Sequence, residues 1–267
     1  MPHHPTVVGL TDVGRARRRN EDSLSLLPEL GVAVVADGMG GHPGGDVASR
    51  IAAGTAAGVL EQELSAPKKA DGDRTALFEK AMARSVLQAH EAIRAQGREE
   101  PDLDGMGTTI TALAVDPESD TYVVGHVGDS RAYRFRAGEL TQLTRDDTWV
   151  QERVDARQLT LEQARVHPMG HLLTQCLGLE DTPVPHIIHD TVELGDVYLL
   201  CTDGLVGMLE DPALVEILGR ELGTNGTAPS EDRETAALKA LVAAANAAGG
   251  HDNITAILVG IGPANDE

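Results

Sequence analysis

Residues 108–143, TTITALAVDPESDTYVVGHVGDSRAYRFRAGELTQL, hold the densest run of strand signals in this 267-residue chain. Stretches rich in β-branched and aromatic residues at 108–115, 121–127, 131–136 and 140–143 are broken by Asp116-Pro117-Glu118-Ser119 and Ala137-Gly138. Proline, glycine and short polar side chains favour turns, so the segment reads as a meander. Links of a few residues join antiparallel neighbours, whereas parallel strands need a long crossover. The prediction is an antiparallel sheet rather than a doubly wound parallel one.

Further strands lie on either side of this segment, and two of them share an ending. GVAVVA, residues 31–36, runs into Asp37-Gly38, and VYLLCT, residues 197–202, runs into Asp203-Gly204. Residues 253–261, NITAILVGI, read as a closing strand that follows His251-Asp252. Helices are marked by apolar stripes: Val47, Ile51, Thr55 and Val59, then Phe78, Met82, Val86, Ala89 and Ile93. Thr160 with Gln163 resembles a capping box. Asp211-Pro212 reads as a cap and first-turn proline leading into 213–221. Ser230 reads as the cap of a helix that carries Leu238, Leu241, Val242 and Ala245 on one side. Residues 223–229 are a polar loop inside this pattern rather than a linker. The expectation is one domain over residues 1–267, with its core at 6–261.

Hydrophobic residues make up 41 % of the chain, enough for a sizeable core. Acidic residues number 42 against 22 basic, a formal charge of −20, which argues against nucleic acid as a partner because a phosphate backbone would be repelled. The same balance suits a protein that holds cations. The two cysteines, Cys176 and Cys201, form no CxxC pair and no disulfide framework, so a reducing cytoplasm is the expected compartment. The N-terminus shows no basic and apolar leader pattern, and no apolar run approaches the roughly 20 residues of a membrane span.

An aspartate at a strand's end projects from the sheet edge, and a following glycine lets its carbonyl approach a bound ion closely. Hard cations such as Mg²⁺ and Mn²⁺ take oxygen ligands and keep several waters. Asp-Gly is also the commonest turn dipeptide, so one occurrence carries little. The ordered set carries more: Arg17-Arg18-Arg19-Asn20-Glu21-Asp22, Asp37-Gly38-Met39-Gly40-Gly41-His42, Gly107-Thr108-Thr109, Val127-Gly128-Asp129-Ser130-Arg131, Thr202-Asp203-Gly204-Leu205 and Asp252-Asn253. In order and spacing these motifs resemble the PP2C-type (PPM) metal-dependent protein serine/threonine phosphatases, in their bacterial form. The resemblance spans residues 6–261.

The resemblance implies an α+β fold, a four-layer α-β-β-α sandwich of two mainly antiparallel sheets flanked by helices, with metals in a cleft at one edge. It implies a binuclear Mn²⁺ or Mg²⁺ centre in which Asp37 bridges the ions, the Gly38 carbonyl binds one, and Asp203 and Asp252 hold the other. Glu21 belongs to the same cluster, with Asp22 behind it. A third ion would rest on Asp129 with help from Asp203. Arg17 takes the phosphate-binding position, where a planar guanidinium can hold two oxygens. Two cations sharing a water lower its pKa and so supply the nucleophile that attacks phosphorus, while metals and guanidinium stabilise the transferring group. The implied partners are phosphorylated proteins, a serine/threonine kinase and its substrates.

Some positions depart from the pattern. Relatives outside bacteria commonly carry histidine after the Asp-Gly, as a candidate acid; here Met39 cannot donate a proton. His42 or a metal-bound water are the alternatives. Asp147 stands where relatives often carry histidine. Residues 144–178 correspond to the family's flap and include Trp149, the sole tryptophan, read either as a packing residue or as a substrate contact. His186-x-x-His189 lacks the glutamate of zinc-protease helices and makes a poor metal site. The glycines of 38–45 precede no Gly-Lys-Ser/Thr, which argues against a nucleotide loop. Two other functions compete: a silent phosphoprotein-binding domain, and hydrolysis of small phosphoesters.

Overall fold

A computed structural model describes residues 3–39, 44–66, 73–226, 228 and 230–263. It contains two five-stranded sheets, antiparallel throughout. The first is ordered β1 (His3–Asp12), β10 (Ile254–Pro263), β9 (Val197–Cys201), β6 (Arg131–Arg136) and β7 (Glu139–Gln142). The second is ordered β2 (Asp22–Leu27), β3 (Val32–Asp37), β4 (Ile110–Asp116), β5 (Thr121–Val127) and β8 (His186–Thr191).

Strand periodicity explains the layers. On β3, Val32, Val34 and Ala36 face a core shared with helices α1 (Gly45–Ser65) and α2 (Arg74–Glu99), while Ala33 and Val35 face the other sheet. Successive side chains of a strand point to opposite faces, so a strand covered on both faces must be apolar throughout. On β9, Val197, Leu199 and Cys201 turn outward onto α6 (Asp211–Leu222) and α7 (Glu231–Ala247), and Tyr198 and Leu200 turn inward. The result is helix, sheet, sheet, helix. Alanines at 48, 52, 53, 56 and 57 form the buried side of α1, and their small size lets α2 pack closely against it. The outer strands β7 and β8 are largely exposed and polar, which protects them from pairing with other chains.

The structure corrects the meander. β4 pairs with β5 and β6 with β7, but β5 and β6 lie in different sheets. Gly128-Asp129-Ser130 carries the chain from one sheet to the other. Gly128 adopts φ +111°, and a Cβ there would stand 2.6 Å from the Thr109 methyl, so no larger residue fits the crossing. A short turn between two strands reads the same in sequence whether the chain returns beside itself or changes sheet.

Smaller corrections concern helix ends. Glu210 rather than Asp211 is the cap of α6, with Pro212 in its first turn. Ser230 sits at the cap of α7 but its side chain makes no capping bond. The Thr160–Gln163 capping box is present at the start of α4 (Leu161–Arg165).

Candidate metal centre

Alternation places Asp37, the last residue of β3, on the inward face with Ala33 and Val35. Its neighbour in register is Asp22, the first residue of β2. From the opposite sheet, β9 ends at Cys201, and Asp203 opens the short helix α5 (Asp203–Val206). Strand ends of two facing sheets therefore deliver carboxylates to the same end of the sandwich. Asp129 reaches it from the sheet-changing turn.

Backbone bonds hold Asp37 in place. Its N–H donates to Thr109 Oγ1 at 3.0 Å, and its carbonyl accepts from Thr108 Oγ1 at 2.7 Å and from the Thr109 N–H at 2.9 Å. Gly38 N–H donates to the Glu21 carbonyl at 3.1 Å. A Cβ on Gly38 would run into the Gly45 carbonyl and stand 2.6 Å from that of Glu21, so only glycine fits this approach. Asp22 is buried, and one oxygen accepts from Thr255 Oγ1 at 2.6 Å and Thr202 Oγ1 at 2.9 Å. Those threonines belong to the other sheet's strand ends, so Asp22 braces the two sheets together. Asn253 performs a similar task for the 13–21 loop. It donates to the carbonyls of Val13 and Arg19 and accepts from the Glu21 N–H at 2.8 Å.

The electrostatics are unfavourable as the side chains stand. Burial, then the charges of Asp22, Asp203 and Asp129, raise the Asp37 carboxyl well above the usual carboxylate range. Burial and Asp203 do the same to Asp129, with Arg131 opposing. Asp203 is raised by burial and by Asp252, with Asp37, Arg17 and Arg131 opposing. Asp22 is pushed to about 7, chiefly by burial, against its threonine donors. Asp37, Asp129 and Asp203 each keep some contact with solvent, and Asp129 and Asp203 line a cleft. Asp22 Oδ1 and Asp203 Oδ1 are buried without any hydrogen-bond partner.

Such a cluster holds its protons or it holds cations. Among the described residues no three acidic, histidine or cysteine side chains already close into a ligand cage. The donor set nonetheless fits hard divalent ions, because it supplies oxygen atoms only and leaves two of them orphaned.

Arg17 lies at the mouth of the cluster and donates to Asp252 Oδ2 at 2.7 Å, both side chains being partly exposed. That bond, along with the nearby charges of Glu21 and Asp203, raises its pKa although burial works the other way. Glu21 is half-buried, with its carboxylate toward the start of α1. A cleft of about 620 Å³ opens beside Asp129 and Asp203, walled on the far side by Leu161, Arg165 and His167. Trp149 opens helix α3 (Trp149–Asp155). Its ring lies 5.2 Å from His167 and 5.1 Å from the Arg153 guanidinium, and it does not line the cleft, so here it packs within its own segment. His42 lies outside the described residues. His186 and His189 are occupied separately, by Asp147 at 2.8 Å and Glu79 at 2.6 Å.

Thr109 and Thr202 stand inside the sequence motifs without an assigned role there, and Thr255 lies in none of them. Their signal is a polar residue at an inward position of an otherwise apolar strand or strand end, and hydroxyl groups sit in such places only when bonded.

Fold and cleft together set the chain among two-sheet α+β proteins that converge acidic side chains on one end of a sandwich. The sequence profile of the Protein phosphatase 2C family matches residues 15–243, and the chain belongs to that family. It is 37 % identical over 251 residues to the serine/threonine protein phosphatase PstP of Mycobacterium tuberculosis, covering 94 % of this chain and 44 % of PstP. It thus spans less than half the length of that relative. The serine/threonine phosphatase stp of Listeria monocytogenes is 34 % identical over 254 residues, 93 % of each chain. A crystal structure of the M. tuberculosis PstP/Ppp phosphatase superposes with a TM-score of 0.81 at 33 % identity, covering 97 % of this chain and 99 % of that one. Another, of the PstP catalytic domain in complex with two manganese ions, gives 0.78 at 31 % identity over 97 % and 99 %.

Proposed function

We propose that this chain hydrolyses phosphoserine and phosphothreonine in proteins at a binuclear Mn²⁺ or Mg²⁺ centre, reversing the action of a serine/threonine kinase. The observation that carries the reading is the convergence of Asp22 and Asp37 from one sheet with Asp203 from the end of the other, leaving one buried oxygen each of Asp22 and Asp203 unsatisfied. PstP and stp, the relatives described above, are phosphatases by name.

In this reading Asp37, the Gly38 carbonyl, Asp203 and Asp252 would hold the two ions, with Glu21 and Asp22 behind them, and Asp129 with Asp203 would hold a third. When bound, the ions supply Lewis acidity and a lowered water pKa. Arg17 leaves Asp252 to grip two phosphate oxygens, and its charge offsets the negative group in transfer. Asp22 keeps the strand ends of both sheets in register, so the carboxylates need little rearrangement when the substrate arrives. The acid for the leaving oxygen is not Met39. The chain acts as one catalytic domain, core 6–261, in the cytoplasm. No helix among the described residues is long and apolar enough to cross a membrane.

The test is hydrolysis of p-nitrophenyl phosphate and a phosphothreonine peptide with Mn²⁺, with chelator, and in Asp37→Ala and Asp203→Ala. Chelator should abolish turnover, and each substitution should lower kcat by about a hundred- to a thousandfold, the scale expected when a catalytic electrostatic group is lost. Turnover undiminished in either variant would refute the assignment. Equal rates on phosphoprotein and on free phosphorylated metabolites would move it to small phosphoesters.

A further inference from the structure

His126 on β5 and His186 on β8 are partners in register, and their rings lie 6.0 Å apart. Both meet the segment that follows β7. His126 is fully buried. Its Nδ1 stands 2.9 Å from Thr111 Oγ1, and its Nε2 stands 3.1 Å from the Arg145 carbonyl. His186 Nε2 stands 2.8 Å from Asp147 Oδ1.

Asp147 is 2 % exposed and uses every polar atom it has. Oδ2 accepts from the Gly128 N–H at 3.0 Å, and its own N–H donates to the Gly128 carbonyl at 2.7 Å. Its carbonyl accepts from the Thr174 N–H at 2.8 Å, where the chain returns from the 149–172 segment. The next residue, Thr148, caps α3 and bridges to Leu173. One side chain and its peptide group therefore join three parts of the molecule: the sheet edge at β8, both ends of the segment that walls the cleft, and the turn that presents Asp129. The connection continues inward. Ser130 Oγ lies 2.8 Å from Thr109 Oγ1, which accepts from the Asp37 N–H.

We propose that Asp147, oriented by His186, is a positioning residue: it fixes the Gly128-Asp129 turn against Asp37 and anchors the cleft-walling segment to the same point. This rests on the phosphatase reading for its catalytic consequence, but not for its structural one. Asp147 is buried and has no free atom for substrate, so it acts only through Asp129 and the segment. Gly128 makes the arrangement sensitive, because its left-handed backbone is held by the two bonds to Asp147 and a side chain there would run into Thr109.

The experiment compares wild type with Asp147→Ala, Asp147→Asn and His186→Gln, and with Asp116→Ala as a control for simple loss of stability at the far end of the same sheet. Amide exchange across 128–130 is read without metal, and kcat, KM and the Mn²⁺ concentration for half-maximal activity are read on p-nitrophenyl phosphate. Asp147→Ala should speed exchange at 128–130 and raise the Mn²⁺ requirement on the order of tenfold, as losses of groups that orient metal ligands do. Its kcat should fall while KM on this small substrate stays near wild type. Asp147→Asn, which can still accept from Gly128, should recover most of the loss, and His186→Gln should fall between. Asp116→Ala should lower stability and leave the Mn²⁺ requirement alone. The proposal is overturned if Asp147→Ala matches wild type in exchange and Mn²⁺ requirement, or if Asp116→Ala shifts both equally. Should Asp147→Ala not fold, Asp147→Asn and His186→Gln decide, and wild-type behaviour in both overturns it. Wild type inactive with Mn²⁺ sinks the phosphatase reading instead, while exchange at 128–130 still judges the positioning.

Discussion

Asp37 and Asp116 end neighbouring antiparallel strands of one sheet, and so stand at its opposite ends. Both are hemmed in by protein, yet their surroundings differ in kind. Asp116 meets the Arg74 guanidinium at 2.6 and 2.5 Å, the Ser119 hydroxyl at 2.8 Å and the Glu118 N–H at 3.2 Å. Burial alone would raise its pKa, but those donors overrule it and the net shift is downward. Asp37 has other carboxylates where Asp116 has a cation, and its shift is strongly upward. The comparison separates a carboxylate that stabilises the fold from one that the fold tolerates. Folding supplies the counter-charge at Asp116. At Asp37 the counter-charge must come from solution.

The sharpest test of that contrast is Asp116→Ala, which strands Arg74 without its buried partner. Arg74 is partly exposed and keeps Glu118 at 2.7 Å, so the loss is that of its charge-assisted bonds to Asp116, about 2 to 3 kcal/mol. The urea midpoint should fall markedly while phosphatase activity at low urea is retained. Asp37→Asn should behave in the opposite way in metal-free buffer. Relief of carboxylate repulsion should leave the unfolding free energy unchanged or raise it by about 1 kcal/mol, a rise that Mn²⁺ then fails to extend. If Asp37→Asn destabilises the metal-free protein as much as Asp116→Ala does, the distinction fails.

Glu234 is an intermediate case. It is fully buried on α7, one oxygen accepts from Thr6 Oγ1 at 2.7 Å, and the other has no partner. Burial pushes its carboxyl up to about 7, with Thr6 opposing and Glu231 adding to the rise. A folded pKa above the unfolded value means that the native state binds the proton more tightly. The stability so gained is fully present below the unfolded pKa, near 4.5, and is lost as pH rises through 7. Glu234→Gln should therefore be more stable than wild type at pH 8, by about 2 kcal/mol, and should lose that advantage by pH 5. Urea midpoints at the two pH values check this, and a constant difference would contradict it. The smallest expected effect is at the cleft wall. Thr160→Ala removes the capping box of α4 and should cost under about 1 kcal/mol, seen as faster amide exchange confined to 160–165.

Much of this was legible in the sequence where the physical rule is local. The apolar run Val32–Ala36 ending in Asp37, the stripe of α2 and the Thr160–Gln163 box depend only on nearby residues and appear where periodicity puts them. By contrast, Val47, Ile51 and Thr55 of the expected α1 stripe are only half-buried, and the small residues Ala48, Ala52 and Ala56 form the buried face. The resemblance extended that reading to the whole sandwich. The change of sheet at Gly128 was not legible, because a Gly-Asp-Ser link suits a hairpin as well as a crossing, and only the partner of the next strand decides. Nor were the bonds from Thr202 and Thr255 to Asp22, which join residues 180 and 233 positions apart. Asp147 looked like a mere departure from a pattern. Its role depends on His186, a residue whose spacing to His189 drew attention to a metal site that the structure does not form. A histidine on a strand and an aspartate in a distant connecting segment carry no mutual signal in one sequence.

The most direct measurement is a crystal grown with Mn²⁺ and examined by anomalous scattering. The account predicts at least two manganese peaks in the cleft between the sheets, with oxygens of Asp37 and Asp203 at roughly 2.1 Å, the distance expected for a small hard divalent cation. No manganese peak at these carboxylates in saturating Mn²⁺ would contradict it.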